Sequence, residues 1–348
     1  MNSFNKILIN WYDQKKYSFP WRDTSNPYYI WVSEIMLQQT QVNTVIPFYK
    51  SWIKRFPTIN DVAKASDEEI FKYWEGLGYY QRALNLREAC TSIIDNYNSD
   101  IPQEKEELLN LKGIGDYTAS AILSIAFKKE YPAIDGNLKR IISRVYAISN
   151  NSEVIKKAKV IISQLMKNQD PGDVNQALMD MGRNICTPQN PKCVSCVFEI
   201  NCIANKKQQI DKYPEKVKAK NIPQYNVIVG LVKKNNKILI SKRRKNVLLG
   251  GLWELPGGKK LKNESNIMCL ERELKEELDI KVNIENKIGT IKHQYSHFKI
   301  NLTGYSCNLK SGRAKSLASD EIKWIGQNQI NKFAFPKSTL KFLSLLGD

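Results

Sequence analysis

The sequence predicts two domains, an all-α domain followed by an α+β domain, and three observations predict it. The chain has 348 residues, and at roughly 150 residues per domain that leaves room for two separate cores. Apolar residues recur at helical spacing through most of residues 1–205. Beyond residue 220 the texture changes to strand-like runs separated by polar turns.

In chain order, helical periodicity marks 61–73, 81–97, 104–111, 117–127, 137–148 and 153–166, with Pro and Gly punctuating between them. No repeat of 20–50 residues interrupts this pattern. Residues 206–222 carry Lys206, Lys207, Lys212, Lys216, Lys218 and Lys220 against Asp211 and Glu215, with Pro214 and Pro223 nearby. That composition predicts a basic linker tracking the surface. Strands are expected at 227–232 and 237–240 around an Asn-Asn turn, then a charged helix at Asn266–Leu278, then strands around Gly289 and over 299–306. The domains are therefore placed at 1–205 and 223–348, joined by 206–222.

Lys plus Arg is 53 and Asp plus Glu is 35, a formal charge of +18. A chain this basic meets a polyanion, and nucleic acid is the first candidate. No apolar run is long enough to span a bilayer, and the first 16 residues lack the apolar core of a secretion signal. A cytoplasmic protein with no membrane partner is expected, nucleoid-associated if bacterial. The only histidines are His293 and His297, which excludes a multi-histidine metal site.

Of seven cysteines, Cys186, Cys193, Cys196 and Cys202 are clustered, with spacing C-x6-C-x2-C-x5-C. The odd total and the lack of a secretion signal argue against a disulfide framework. Four thiolates in a short loop suit one Zn²⁺ or an iron–sulfur cluster. Structural zinc sites more often pair two tight C-x-x-C units; only one pair here is tight, which favours a cubane held by one loop.

Leu111-Lys112-Gly113-Ile114-Gly115-Asp116-Tyr117-Thr118 joins two apolar helices. Gly113 and Gly115 allow a tight turn whose N–H groups can approach an anion, and the next helix adds the positive end of its dipole. DNA phosphate is the natural ligand; the bland alternative is a plain αα-hairpin turn.

Together with Asp135 in Ala133-Ile134-Asp135-Gly136-Asn137, the hairpin and the four-cysteine loop resemble the helix–hairpin–helix DNA glycosylase superfamily with a [4Fe-4S] cluster. Pro20-Trp21-Arg22 and Ser33-Glu34-Ile35-Met36-Leu37-Gln38-Gln39-Thr40-Gln41-Val42 resemble one branch of it, the adenine DNA glycosylases (the MutY family). The resemblance covers nearly the whole chain. It implies that Cys186, Cys193, Cys196 and Cys202 hold the cluster in a loop spanning 186–202.

Cleaving an adenine N-glycosidic bond needs one neutral carboxyl and one ionised carboxylate. Glu34 sits among Ile30, Trp31, Ile35, Met36 and Leu37, where burial would raise its pKa. Asp135 precedes a helix whose dipole should keep it ionised. The resemblance implies Glu34 as proton donor and Asp135 as stabiliser of the sugar cation. Read alone, Glu34 is a solvated helix residue and Asp135 an N-cap. Tyr117 stands where bifunctional relatives similar to endonuclease III carry a Schiff-base Lys, which implies a monofunctional glycosylase. The target base must leave the stack. Gln39 and Tyr79 match family positions inserted beside the orphaned partner; Trp21, Arg22 and Gln176 match the adenine pocket. Core packing is the alternative for the aromatics.

Gly258-x5-Glu264-x7-Arg272-Glu273-Leu274-Lys275-Glu276-Glu277-Leu278-Asp279-Ile280 resembles the Nudix box, with Asp279 in place of its Gly. Asp tolerates the left-handed backbone that Gly supplies there. Glu273, Glu276 and Glu277 share a helix face, which points to a Mg²⁺ or Mn²⁺ site; the alternative is a solvated charged face. In the resembled family this domain is Nudix-like and recognises 8-oxoguanine. Tyr295-Ser296-His297 is similar to its recognition turn, with Ser296 and His297 at the lesion.

The expected function is a monofunctional DNA glycosylase of base excision repair. It would act as a monomer on double-stranded DNA, hydrolysing adenine from pairs with 8-oxoguanine or guanine. The rivals are a Nudix pyrophosphohydrolase for oxidised nucleotides tethered to a DNA-binding module, a bifunctional glycosylase/lyase, and a non-enzymatic DNA-binding protein.

Overall fold

The computed structural model describes residues 2–15, 17–215 and 221–346. The chain divides into two compact units: Met1–Ala63 with Asn85–Ala219, and Lys64–Leu84 with Lys220–Asp348. The sequence reading placed 64–84 with the helical domain; by its contacts this segment groups instead with the C-terminal half. The expected linker is structured at its start, with a short helix and a 3-10 turn before Tyr213. Lys216, Lys218 and Lys220 lie outside the described residues.

The helices run in order α1 (Asn2–Lys15), α2 (Pro27–Leu37), α3 (Val42–Arg55), α4 (Ile59–Lys64), α5 (Asp67–Trp74), α6 (Gln81–Asn96), α7 (Lys105–Asn110), α8 (Asp116–Ile125), α9 (Gly136–Tyr146), α10 (Asn151–Met166), α11 (Pro171–Asn184) and α12 (Ile203–Lys206). The helix expected over 61–73 is two helices, α4 and α5. Ser66 adopts extended backbone and its hydroxyl accepts from Glu69 N, so it begins α5 rather than continuing α4. Asp67, Glu68 and Glu69 then complement the dipole of the new N-terminus.

The first unit is built to hold α2 and α8 face to face. Asn26 caps α2 by accepting from Tyr28 N at 2.9 Å, with Pro27 as first residue. Helix α2 buries residues all round, as a core helix does. Ile30 packs with Ala121 and Ile125 of α8 and with Ala133. Asp170 caps α11, and Gly172 lets that helix end approach the end of α8. A Cβ there would lie 2.9 Å from Ile125 Cα. A separate cluster joins α1, α9, α10 and α11 through Leu8, Leu138, Ile162 and Met181.

In the second unit the strands are β1 (Gln224–Lys234), β2 (Lys237–Lys242), β3 (Trp253–Glu254), β4 (Gly257–Lys259), β5 (Lys281–Gln294), β6 (Lys299–Ser311) and β7 (Glu321–Gly326). They form one seven-stranded sheet in the order β3-β2-β1-β6-β5, with β4 also on β1 and β7 on β2. The pairing of β1 with β6 is parallel and the rest are antiparallel. Alternation along β1 splits the core: Ile228 and Val232 meet α13 (Asn266–Leu278), while Val229 and Leu231 join Phe335 and Phe342, the latter on α14 (Lys337–Leu343). Asn235 and Asn236 have φ of 49° and 59°, the left-handed pair a two-residue hairpin needs. Asp279 ends α13 at φ 57°, the backbone its place in the box demands.

Candidate active site

A cavity of about 670 Å³ opens in the first unit, lined by Trp21, Arg22, Glu34, Tyr117, Asp135 and Gln176 among others. Each arrives on a different piece of framework. Glu34 projects from the buried helix α2 and is 5% exposed. Tyr117, in the first turn of α8, donates from Oη to Glu34 Oε2 at 2.7 Å. Burial pushes the Glu34 carboxyl up from its ordinary value; the Tyr117 hydrogen bond and Arg22 oppose this, and the charge of Asp135 adds to it.

Asp135 is the N-cap of α9: Oδ1 accepts from Leu138 N at 2.7 Å and Oδ2 from Asn137 Nδ2 at 2.7 Å. The helix-dipole argument alone expected no upward push on this carboxyl. Burial does raise its pKa, opposed by those N–H donors and by Arg140. Arg140 Nη2 donates to Asn137 Oδ1 at 2.8 Å, and its Nε to the carbonyl of Cys186 at 2.7 Å. The carboxylate is thus wired to the cysteine loop through two side chains.

On the opposite wall, Trp21 is buried between a Phe19 ring stacked at 5.5 Å and the edge of Tyr49. Arg22 donates to Tyr12 Oη at 2.8 Å and to Asp180 Oδ1 at 3.2 Å; Arg183 reaches the same oxygen at 3.2 Å. Tyr12 in turn donates to Gln176 Oε1 at 3.5 Å. The second oxygen of Asp180 is buried with no hydrogen-bond partner. Asp180, Tyr12 and Arg140 escaped the sequence reading; the pairs Arg22–Asp180, Tyr12–Gln176 and Arg140–Cys186 span 158, 164 and 46 positions.

Cys186, Cys193, Cys196 and Cys202 are free thiols that line one small cavity. Arg144 organises their loop. Its guanidinium donates to Thr187 O, Pro188 O, Tyr213 O and, at 3.5 Å, the sulfur of Cys186. Burial and the neighbouring sulfurs push the Cys196 thiol up to about 12. A half-buried, all-sulfur donor set calls for a soft cationic partner. Among the described residues no three His, Cys, Asp or Glu side chains form a group that could hold a metal ion.

At the hairpin, Gly113 takes φ 84°, and a Cβ there would lie 2.8 Å from Asn85 Cβ; Gly115 N-caps α8 at φ −101° with open space around it. Gly113→Ala should therefore cost about 1–2 kcal/mol or more from backbone strain and the clash. Gly115→Ala should cost less than about 1 kcal/mol, the small loss of an N-cap preference. Thermal denaturation of the pair checks this, and equal losses would refute it. Gln39 is exposed at φ 57°, a strained backbone of the kind that gathers at functional positions.

In the second unit, Tyr295-Ser296-His297 forms the turn between β5 and β6. Tyr295 N donates to Phe298 O at 2.8 Å, and the Tyr295 ring turns inward onto Phe298 and Ser338. Ser296 and His297 are left exposed at the tip. Tyr79, at φ 49° and 38% exposed, places its hydroxyl against Ser296 Oγ in a hydrogen bond. Of the glutamates expected to gather Mg²⁺, Glu273 and Glu276 are ion-paired and Glu277 Oε2 accepts from Gly257 N at 3.4 Å. Arg272 pairs with Glu264 at 2.8 Å, Glu273 at 2.9 Å and Glu276 at 3.1 Å. Burial, with the charges of Glu254 and Glu273, pushes Glu277 up to about 7.

No helix of the described residues is long and apolar enough to cross a membrane. A family model described as the HhH-GPD superfamily base excision DNA repair protein matches residues 32–165, and a NUDIX domain model matches 227–345. An adenine DNA glycosylase of Buchnera aphidicola subsp. Schizaphis graminum is 32% identical over 346 residues, covering 98% of each chain. One from Homo sapiens is 29% identical over 396 residues, covering 96% of this chain and 72% of that one. Among solved structures, a thermostable thymine-DNA glycosylase matches with a TM-score of 0.53 and 28% identity, covering 59% of this chain and 96% of that one.

Proposed function

The chain belongs to the adenine DNA glycosylase family, enzymes of base excision repair, and from that premise we propose that it hydrolyses adenine from pairs with 8-oxoguanine or guanine by a monofunctional route. The observation that carries this reading is the pairing in one cavity of a buried, upward-shifted Glu34 with an Asp135 held by N–H donors.

Adenine leaves the stack and enters the cavity. Neutral Glu34 donates a proton to the base, which makes it a better leaving group. As the glycosidic bond breaks, ionised Asp135 stabilises the oxocarbenium-like sugar. Water completes hydrolysis and an abasic site remains. The unused buried oxygen of Asp180 suits a base bearing an exocyclic amine. Tyr117 has no amine, so no Schiff base forms and the strand stays intact. We read the active unit as a monomer acting on double-stranded DNA.

Cys186, Cys193, Cys196 and Cys202 would hold the [4Fe-4S] cluster. What supports it is an all-sulfur set around one cavity, with only one tight C-x-x-C pair among the four. When bound, the cluster supplies structural cross-linking of the loop that Arg140 and Arg144 tie to α9. The Nudix-like domain reads the opposing base through Ser296, with His297 beside it; Gln39 and Tyr79 are each read as inserting into the stack beside the orphaned partner. Gly113 and Gly115 grip the DNA phosphate.

Chromatographic detection of free adenine from a duplex holding A opposite 8-oxoguanine, and none from A opposite T, tests the reading. Release of any other base first would overturn it. The pH profile adds a signed check. Glu34 must be protonated, so excision falls as pH rises through its raised pKa. The Tyr117 hydrogen bond lowers that pKa. Tyr117→Phe should therefore move the alkaline limb to higher pH; a limb that stays or moves down contradicts the assignment.

A further inference from the structure

We propose that Glu75 and Tyr80 are positioning residues that clamp the Tyr79 turn to the backbone of Phe335 and so set the preference for 8-oxoguanine over guanine. The proposal deepens the reading of Tyr79 and Ser296 given above and rests on it.

The segment Lys64–Leu84 belongs to the same compact unit as the C-terminal domain. Two hydrogen bonds tie it to one residue of that domain. Glu75 Oε1 accepts from Phe335 N at 2.9 Å, and Tyr80 Oη donates to Phe335 O at 3.2 Å. Both backbone polar groups of one fully buried residue are thus satisfied from the two ends of the same turn. The other oxygen of Glu75 takes Lys72 Nζ at 2.7 Å, which fixes the carboxylate.

Between the clamp points the chain turns sharply, and at Tyr79 it is strained. Gly76, Gly78 and Tyr79 all have positive φ, at 105°, 76° and 49°. For an aromatic residue such backbone costs about 1–3 kcal/mol and persists only where the surroundings over-determine it. Here they do: Gly78 O accepts from Trp74 Nε1 at 3.1 Å and Arg82 Nη2 at 3.0 Å, and Tyr80 Oη also accepts from Gly76 N at 3.3 Å.

The other end of the frame reaches the recognition turn. Phe335 lies in the core cluster against which Tyr295 packs. Tyr295 Oη is hydrogen-bonded to Ser338 Oγ at 2.8 Å, three residues along the chain from Phe335. Tyr79 and Ser296 therefore meet because both hang from one strap, residues 333–338, whose Ala334, Phe335, Pro336 and Ser338 are buried. Loosening the Phe335 clamp should let Tyr79 drift from Ser296 without touching the chemistry of Glu34 and Asp135.

The test is single-turnover excision by the cluster-loaded full chain on A opposite 8-oxoguanine and on A opposite G. Tyr80→Phe removes one O–H, and Glu75→Ala removes the acceptor; a buried hydrogen bond lost at a cost of about 1–3 kcal/mol corresponds to about a 5- to 150-fold change. The ratio of the two rates should fall within that span in both variants, while the rate on A opposite G changes little. Glu75→Gln keeps an acceptor oxygen and should restore the ratio. Equal loss on both substrates, or no rescue by Glu75→Gln, would mark a merely structural role and overturn the clamp. Ser296→Ala separates the underlying reading. A ratio lost there but kept in both clamp variants overturns the clamp alone. A ratio kept in all three overturns the domain as lesion reader, and the clamp with it.

Discussion

Glu34→Gln should abolish adenine excision while leaving DNA binding intact. The amide keeps the shape of the side chain and still accepts from Tyr117 Oη, so the α2–α8 contact survives. What it lacks is the transferable proton, and general acid catalysis is worth about 10²- to 10⁴-fold. Stability carries a second signature. The folded pKa of Glu34 is raised above its unfolded value by burial. The stability this group contributes is therefore full below the unfolded pKa and is lost as pH rises through the folded one. The Gln variant cannot ionise, so its stability should fall less over that window, and thermal denaturation across pH measures it. Excision at the native rate, or an unchanged stability profile, would show that Glu34 is not the acid.

Asp135→Asn should lower excision by about 10²- to 10³-fold, the scale of removing one electrostatic stabiliser of a transition state. Its fold should hardly notice, because Asn caps helices as well as Asp does, and the Leu138 N–H keeps a partner. Asp135→Ala separates the two roles: it should lose the same activity and, in addition, about 1 kcal/mol of cap. Matched melting temperatures for native and Asn proteins, with activity lost only in the latter, is the expected pattern. A large fall in melting temperature for the Asn variant would return Asp135 to a purely structural role.

What the sequence made legible was local. Helix Asn266–Leu278 begins at Ser265, whose hydroxyl accepts from Met268 N, and ends at a left-handed Asp279; both signals lie in adjacent residues. The Asn235-Asn236 hairpin is of the same kind. Within the helical half, the break between α4 and α5 was hidden because Ser66 sits inside a run whose apolar spacing continues across it. Strands β3 and β4 are two and three residues long and gain their identity only from β2 and β1.

The site divides the same way. Glu34, Tyr117 and Asp135 stood out in short motifs, and the structure gathers them around one cavity. The ion pair of Arg22 with Asp180 spans α11 and a loop 158 positions away, which no local pattern announces. Grouping of residues 64–84 with the C-terminal half is equally non-local: Glu75 and Tyr80 bond to Phe335, and Glu68 and Asp67 pair with Lys242 and Lys245. The glutamates of the box show the converse. Their shared helix face is legible; the pairing of Glu273 and Glu276 with Arg272, which also holds the distant Glu264, is not.

The central claim is adenine excision without lyase chemistry. Single-turnover reaction on a duplex holding one A opposite 8-oxoguanine, divided and read with and without hot alkali, tests it most directly. The account predicts a nick at the adenine position only after alkali, with no nick in a matched duplex holding A opposite T. A nick without alkali would contradict the assignment of Tyr117, and no cleavage by cluster-loaded protein would contradict the roles of Glu34 and Asp135.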